Sequence, residues 1–325
     1  MKLARRRLLQ FAAAAAALPA LPRAASAQVY PSRPVRIVIG FAPGGVSDLY
    51  ARLAAQMLSE RLGQQFVVDN RTGAGGSIAT ESVVRAAPDG YTLLLTGAND
   101  AFNTALYDRI SFDYLRDIEP VAGLVHFEGV LVVHPAFPAT TAPAFITQVK
   151  AKPGRVTMAS AGVGSAPHIF WELFKSTAGI DMVHVPYRGE GPALLDLLGG
   201  QVQALMATIP ASIEYIKAGR LRALAVTGAA RSEALRDVPI LADFVPGYEA
   251  GGWLGIAAPR NTPMEIVEKL NSEINAGLAD TKIRSRISEQ SASVFIASHA
   301  EFSKSVVEYT DKWAKVIRAA NIKAE

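Results

Sequence analysis

From Val35 onward, short apolar runs alternate with glycine-bearing loops and stretches of helical periodicity. Val35-Arg-Ile-Val-Ile39 reads as a buried strand, Pro43-Gly44-Gly45 as a tight loop, and Ser47-Asp48 as the start of a helix. That helix is predicted to reach Leu62, with Leu49, Leu53, Met57 and Leu58 on its apolar stripe, Arg52, Gln56 and Glu60 opposite, and Gly63 as its stop. Residues 65–69 and 92–96 read as further strands, and 77–87 as the helix between them. Strands separated by helices predict a parallel sheet with helices on its faces. After a less regular passage at 98–120 the alternation resumes with strands at 130–134, 156–161, 182–186, 202–208 and 221–227, which makes a second α/β unit. Residues 252–258 read as a last strand, and the chain is then predicted to be helical to its end. Thr262-Pro-Met-Glu265 and Ser298-His-Ala-Glu301 both read as capping boxes.

Composition changes this picture chiefly at the N-terminus. Lys2, Arg5, Arg6 and Arg7, an apolar run to Leu21 broken by Pro19, and Ala25-Ser26-Ala27 form an export-signal pattern over residues 1–27. Arg5-Arg6-Arg7-Leu8-Leu9-Gln10 resembles a twin-arginine leader, with an ordinary secretory leader as the alternative. The full chain of 325 residues carries 33 basic and 29 acidic side chains, and the five basic ones within 1–27 reduce 33 to 28 against the same 29. The remaining 298 residues are thus nearly neutral, which gives no support to nucleic-acid or acidic-membrane binding. The absence of cysteine excludes a lipid-anchored leader, a thiolate metal site and a disulfide framework.

Three loops after predicted strands carry the candidate chemistry: Pro43–Asp48, Gly73-Ala-Gly-Gly76 and Ser160-Ala161-Gly162-Val-Gly164-Ser165. Glycines there let backbone N–H groups face an anion, and a following helix adds its unpaired first-turn donors and dipole. None of the loops spells a dinucleotide or P-loop fingerprint. Ser165 and His168 are three residues apart, but Gly162-Val-Gly-Ser-Ala166 is not a nucleophile elbow, so an N-cap serine competes with an exported hydrolase. His126, His134, His168, His184 and His299 have no metal-binding spacing. No cofactor is called for. Arg188, after a strand, offers a fork for a carboxylate or a solvated loop side chain.

Six segments in order carry a family resemblance: Pro43-Gly-Gly-x-x-Asp48, Asn70-Arg-x-Gly-Ala-Gly-Gly76, Pro88-Asp-Gly-Tyr-Thr-Leu-Leu94, Ser160-Ala-Gly-x-Gly-Ser-x-x-His168, Val185-Pro-Tyr-Arg-Gly189 and Ala218-Gly-x-Leu-Arg-Ala-Leu-Ala-Val-Thr227. Together they resemble the periplasmic substrate-binding receptors of tripartite tricarboxylate transporters, the Bug family. The resemblance spans the chain after residue 27, including Ala258-Pro-x-x-Thr-Pro263.

It implies two α/β domains in a periplasmic-binding-protein, flytrap arrangement, one from 28–123 plus 254–325 and the other from 124–253. It also implies a monomeric receptor, not an enzyme, that closes on a small carboxylate and delivers it to integral membrane transporter subunits. A sensor subunit for a signalling partner would have the same site. The residues implied at the ligand are Pro43, Gly44, Gly45, Ser47 and Asp48 in the first loop, and Ser160, Ala161, Gly162, Gly164, Ser165 and His168 in the loop facing it. Tyr187, Arg188, Gly189, Asn103 and Thr208 complete the set.

Two departures from the family pattern stand out. Asp100-Ala-Phe-Asn103 lacks the family's frequent histidine, and Ala207-Thr208-Ile209 lacks its frequent acidic or amide residue near the cleft. A cleft without that polar group argues against an amino-acid ligand and toward an aromatic or plain aliphatic carboxylate.

Overall fold

The computed structural model describes residues 30–107 and 110–324; the leader expected over 1–27 lies outside them. From Arg33 onward the chain folds as one compact unit built on a curled mixed sheet with helices on its faces.

The elements run, in order, β1 (Val35–Ile39), α1 (Val46–Leu62), β2 (Phe66–Asn70), α2 (Ser77–Val84), β3 (Thr92–Gly97), α3 (Ala98–Leu106), α4 (Tyr114–Asp117) and β4 (Ile118–Val133). Then come α5 (Ala142–Ala151), β5 (Thr157–Ser160), α6 (Ala166–Ala178), β6 (Val183–Pro186), α7 (Glu190–Leu198), β7 (Ala204–Thr208), α8 (Ile209–Lys217) and β8 (Arg222–Val226). The last are β9 (Gly251–Pro259), α9 (Met264–Leu278), α10 (Thr281–Glu289), β10 (Ala292–Val294) and α11 (His299–Ala319). The strand order is β2-β1-β3-β9-β4-β7-β5-β6, with β8 and β10 also paired to β4.

Two parallel groups, β2-β1-β3 and β7-β5-β6, therefore flank an antiparallel centre made by β9 and β4. β4 belongs to both halves. Its residues 118–128 pair with β9, and Gly129–Val133 pair with β7. Thr227 fastens the point of passage: its hydroxyl accepts the Gly129 N–H at 2.7 Å and donates to the Ala250 carbonyl at 2.7 Å.

Each half has its own apolar interior. Val130, Leu194, Leu197, Leu205, Ile209 and Ile213 fill one, and Val38, Val83, Leu94, Trp253, Phe302 and Val306 the other.

Four sequence expectations change. β4 begins at Ile118, not 130, because register shifts at Pro120/Ala122 and Gly123/Val125 interrupt its alternation. The chain after β9 is not wholly helical, since Ala292–Val294 adds β10 against β4. Helix α1 buries Tyr50, Ala51, Ala54 and Leu58, leaving Leu49 and Leu53 only half-buried; its contact face uses small residues that let the helix sit close. The capping box at Ser298 forms, with Ser298 and Glu301 exchanging side-chain-to-N–H bonds. The one at Thr262 does not, because Pro263 is the N-cap and the Thr262 hydroxyl donates back to the Pro259 carbonyl.

Candidate functional site

The chain leaves β1 through Phe41-Ala42-Pro43-Gly44-Gly45 and enters α1 at Val46. Gly44 has a left-handed φ of +92°, and Gly45, the N-cap, has no side chain with which to bond the first-turn donors. The α1 N-terminus is thus left to be satisfied from across the fold. Asp48 braces the loop from behind: it accepts from the Gly44 N–H at 3.3 Å, from Asn70 at 3.3 Å and from Arg52 at 2.9 and 3.0 Å. Burial alone would raise its pKa, but these bonds outweigh that and hold the carboxyl below the usual range.

Facing this loop is Arg188-Gly189-Glu190-Gly191. The Ala42 N–H donates to the Arg188 carbonyl at 2.9 Å. A Cβ on Gly189 would stand 2.7 Å from Ala42 N, and one on Gly191 would stand 2.3 Å from the Pro43 carbonyl oxygen. The two loops meet backbone to backbone, which is why both positions are glycine. A second seam lies nearby, where Cβ atoms on Gly75 and Gly164 would reach 2.3 Å from the Val163 carbonyl and 2.1 Å from Asn103 Oδ1.

Glu190 is the residue that sequence reasoning missed. Its side chain is buried, with Oε1 accepting the Thr208 N–H at 2.5 Å and Oε2 accepting both the Thr208 hydroxyl at 2.9 Å and the Val46 N–H at 3.3 Å. It therefore ties the α1 N-terminus to the N-cap of α8. Burial pushes its pKa up to about 7 against the pull of the Thr208 and Val46 bonds. The premise that this cleft lacks an acidic residue is overturned: the acid comes from the first residue of α7, not from Ala207–Ile209.

Glu190 lines an inner cavity of about 30 Å³ with Gly45, Ser47, Ala161, Ser165 and Thr208, all but the glutamate expected from sequence. Phe41, Ala98, Asn99, Phe127, Trp253 and Leu254 add walls that were not expected, and no lysine, arginine or histidine lines it among the described residues. Gly162, Tyr187 and Arg188 line a neighbouring space of about 540 Å³ that shares Phe41 and Ala161 with the first. The Arg188 side chain is exposed, and the Tyr187 hydroxyl donates to Asp196 at 2.6 Å.

The remaining expected residues hold the loops. Ser160 Oγ accepts the Gly162 N–H at 3.0 Å and pairs with His184 Nε2 at 2.6 Å. Ser165, the N-cap of α6, donates to the Gly162 carbonyl at 2.6 Å and accepts the His168 N–H at 3.4 Å. His168 is buried, and its Nδ1 accepts the Gly164 N–H at 3.3 Å while its ring stacks on His184 at 4.5 Å. Burial, His184 and Lys175 push its pKa down to about 3, so it is neutral. The Ser165 hydroxyl thus bonds backbone groups and not the imidazole, which is not the geometry of a nucleophile with its base. Asn103 lies apart from the inner cavity, donating to the Gly75 carbonyl at 3.0 Å and to Ser77 at 3.2 Å.

The chain matches the family described as "Tripartite tricarboxylate transporter family receptor" over residues 50–322. BugT of Bordetella pertussis is 37% identical over 301 residues, covering 92% of each chain. Among solved structures, R. palustris Rpa4515 with adipate superposes with a TM-score of 0.87 at 35% identity, covering 90% of this chain and 99% of that one. MatC from Rhodopseudomonas palustris with bound malate gives 0.84 at 30% identity, covering 89% and 100%. The fold is accordingly that of the two-domain periplasmic binding proteins, and the chain is a member of the tripartite tricarboxylate transporter receptor family.

Proposed function

We propose that this chain is exported to the periplasm, captures a small carboxylate by closing two lobes over it, and hands it as a monomer to membrane subunits of a tripartite transporter. The lobes divide as residues 28–123 plus 254–325 and residues 124–253. The observation that carries this reading is the pair of helix N-termini converging on one cavity from opposite halves of the sheet, α1 through Val46 and α8 through Thr208, where the carboxylate they already hold is that of Glu190. Such donors stabilise a carboxylate without a counter-cation, and their rigid mounting on strand ends limits the entropy lost on binding. The relatives with adipate and malate bound support the ligand class. Closure follows because a ligand touching both lobes favours the state in which they meet. No step of bond making or breaking is assigned to the site.

Calorimetry of the purified protein against adipate, malate, succinate, benzoate and glutamate tests it. One or more acids are expected to bind at one site with no product formed. Absence of binding by any acid, or ester hydrolysis lost on Ser165→Ala, would contradict the reading.

A further inference from the structure

Glu190 sets a carboxylate of the protein's own on the two N–H donors that the receptor reading offers to a ligand. The Val46 N–H it engages is the first-turn donor of the glycine loop, and the Thr208 N–H is the matching donor on the facing side. Ligand and Glu190 therefore share donors in one buried site with no cation among the described residues of its wall. Two carboxylates at close range in such a site do not both stay ionised: either the ligand brings a cation or the pair holds a proton. The cation route is poorly served. An ammonium has three N–H groups to satisfy, yet three of the roughly four acceptor sites on Glu190 are taken and Ser165 Oγ is spent on backbone.

We propose that Glu190 is a ligand-contacting, specificity-determining residue, and that this chain takes up a plain carboxylate together with one solvent proton held between that carboxylate and Glu190. The inference rests on the receptor reading above. The proton makes Glu190 a carboxylic acid whose O–H donates to the ligand, while its other oxygen keeps the Thr208 N–H.

Among the described residues the cation nearest in sequence is Arg188, two residues back, whose side chain is exposed and lines the neighbouring space, not the inner cavity. On its own helix α7 the titratable side chain is Asp196, engaged by Tyr187. On α1 they include Asp48 and Arg52, paired with each other, and on α8 they are Glu214, Tyr215 and Lys217, of which Glu214 and Lys217 pair. Strands β5 and β7, against which α7 packs, carry none.

The test is calorimetry with adipate, succinate and benzoate between pH 6 and 9, run in buffers of different ionisation enthalpy. The expected result is uptake of close to one proton per ligand at pH 8, with affinity falling about tenfold per pH unit above 7. Glu190→Gln is expected to bind with no uptake and a flat profile. Without ligand, the raised pKa means that Glu190 contributes stability fully present below pH 4.5 and lost as pH rises toward 7. Thermal melts of Glu190→Gln should lack that loss. Flat wild-type affinity with zero uptake, tighter uptake-free binding of glutamate than of plain acids, or identical melting profiles for wild type and variant would overturn the proposal while leaving the receptor reading intact. Failure of every acid to bind at every pH would bring down the receptor reading, and this proposal with it.

Discussion

Gly191→Val is expected to weaken carboxylate binding by more than about 100-fold, a far larger effect than its change in melting temperature. Gly191 is the second residue of α7, and a Cβ there also crowds the ring of Pro192, so valine costs the helix something of its own. The larger objection arises where the loops meet. The added Cβ would lie 2.3 Å from the Pro43 carbonyl oxygen and 3.1 Å from Gly44 Cα, both backbone atoms with nowhere to turn. Relieving that overlap holds the lobes apart. A closure penalty of about 3 kcal/mol already corresponds to the stated loss of affinity. Calorimetry beside a thermal melt separates the two effects. Unchanged affinity would mean that the Pro43–Gly45 and Gly189–Gly191 loops do not have to meet for the ligand to be held.

Trp171→Ala should cost about 3–5 kcal/mol of unfolding free energy, measured by urea titration. Trp171 is fully buried, its ring packing at 6.3 Å from Phe145 and 5.8 Å from Phe174. Its indole N–H also donates to the Ala159 carbonyl at 3.1 Å, which fixes the end of β5 just before Ser160. Truncation therefore leaves a cavity and removes a bond to a buried carbonyl beneath the Ser160–Ser165 loop, so ligand affinity should fall as well. A loss under about 1 kcal/mol would show that this packing does not support the loop.

The parts of the fold legible in the sequence were those whose signal is local. β1, the Pro43–Gly45 loop and the start of α1 were readable because an apolar run, two glycines and a helical period follow one another directly. β4 was read only from Val130, because Pro120, Gly123 and two register shifts break the pattern in a strand paired on both sides, where exposure does not alternate. β10 is three residues held by pairing to β4, too few for any period to show.

The site divides the same way. Its glycine seams were legible as glycines, and five of the inner-cavity residues were expected. Glu190 was not, because a charged residue between two glycines reads as a solvated turn; its burial depends on Thr208, 18 residues on, and Val46, 144 residues back. Asp48 and His168 were expected at the ligand, yet one braces the Gly44 N–H and the other the Gly164 N–H.

Small-angle X-ray scattering of the protein with and without the tightest-binding acid, beside the Gly191→Val variant under the same conditions, tests the central claim of capture by closure. The radius of gyration is expected to fall when the acid saturates the wild-type protein and to stay constant in the variant. Identical wild-type scattering with and without an acid that calorimetry shows to be bound would contradict it.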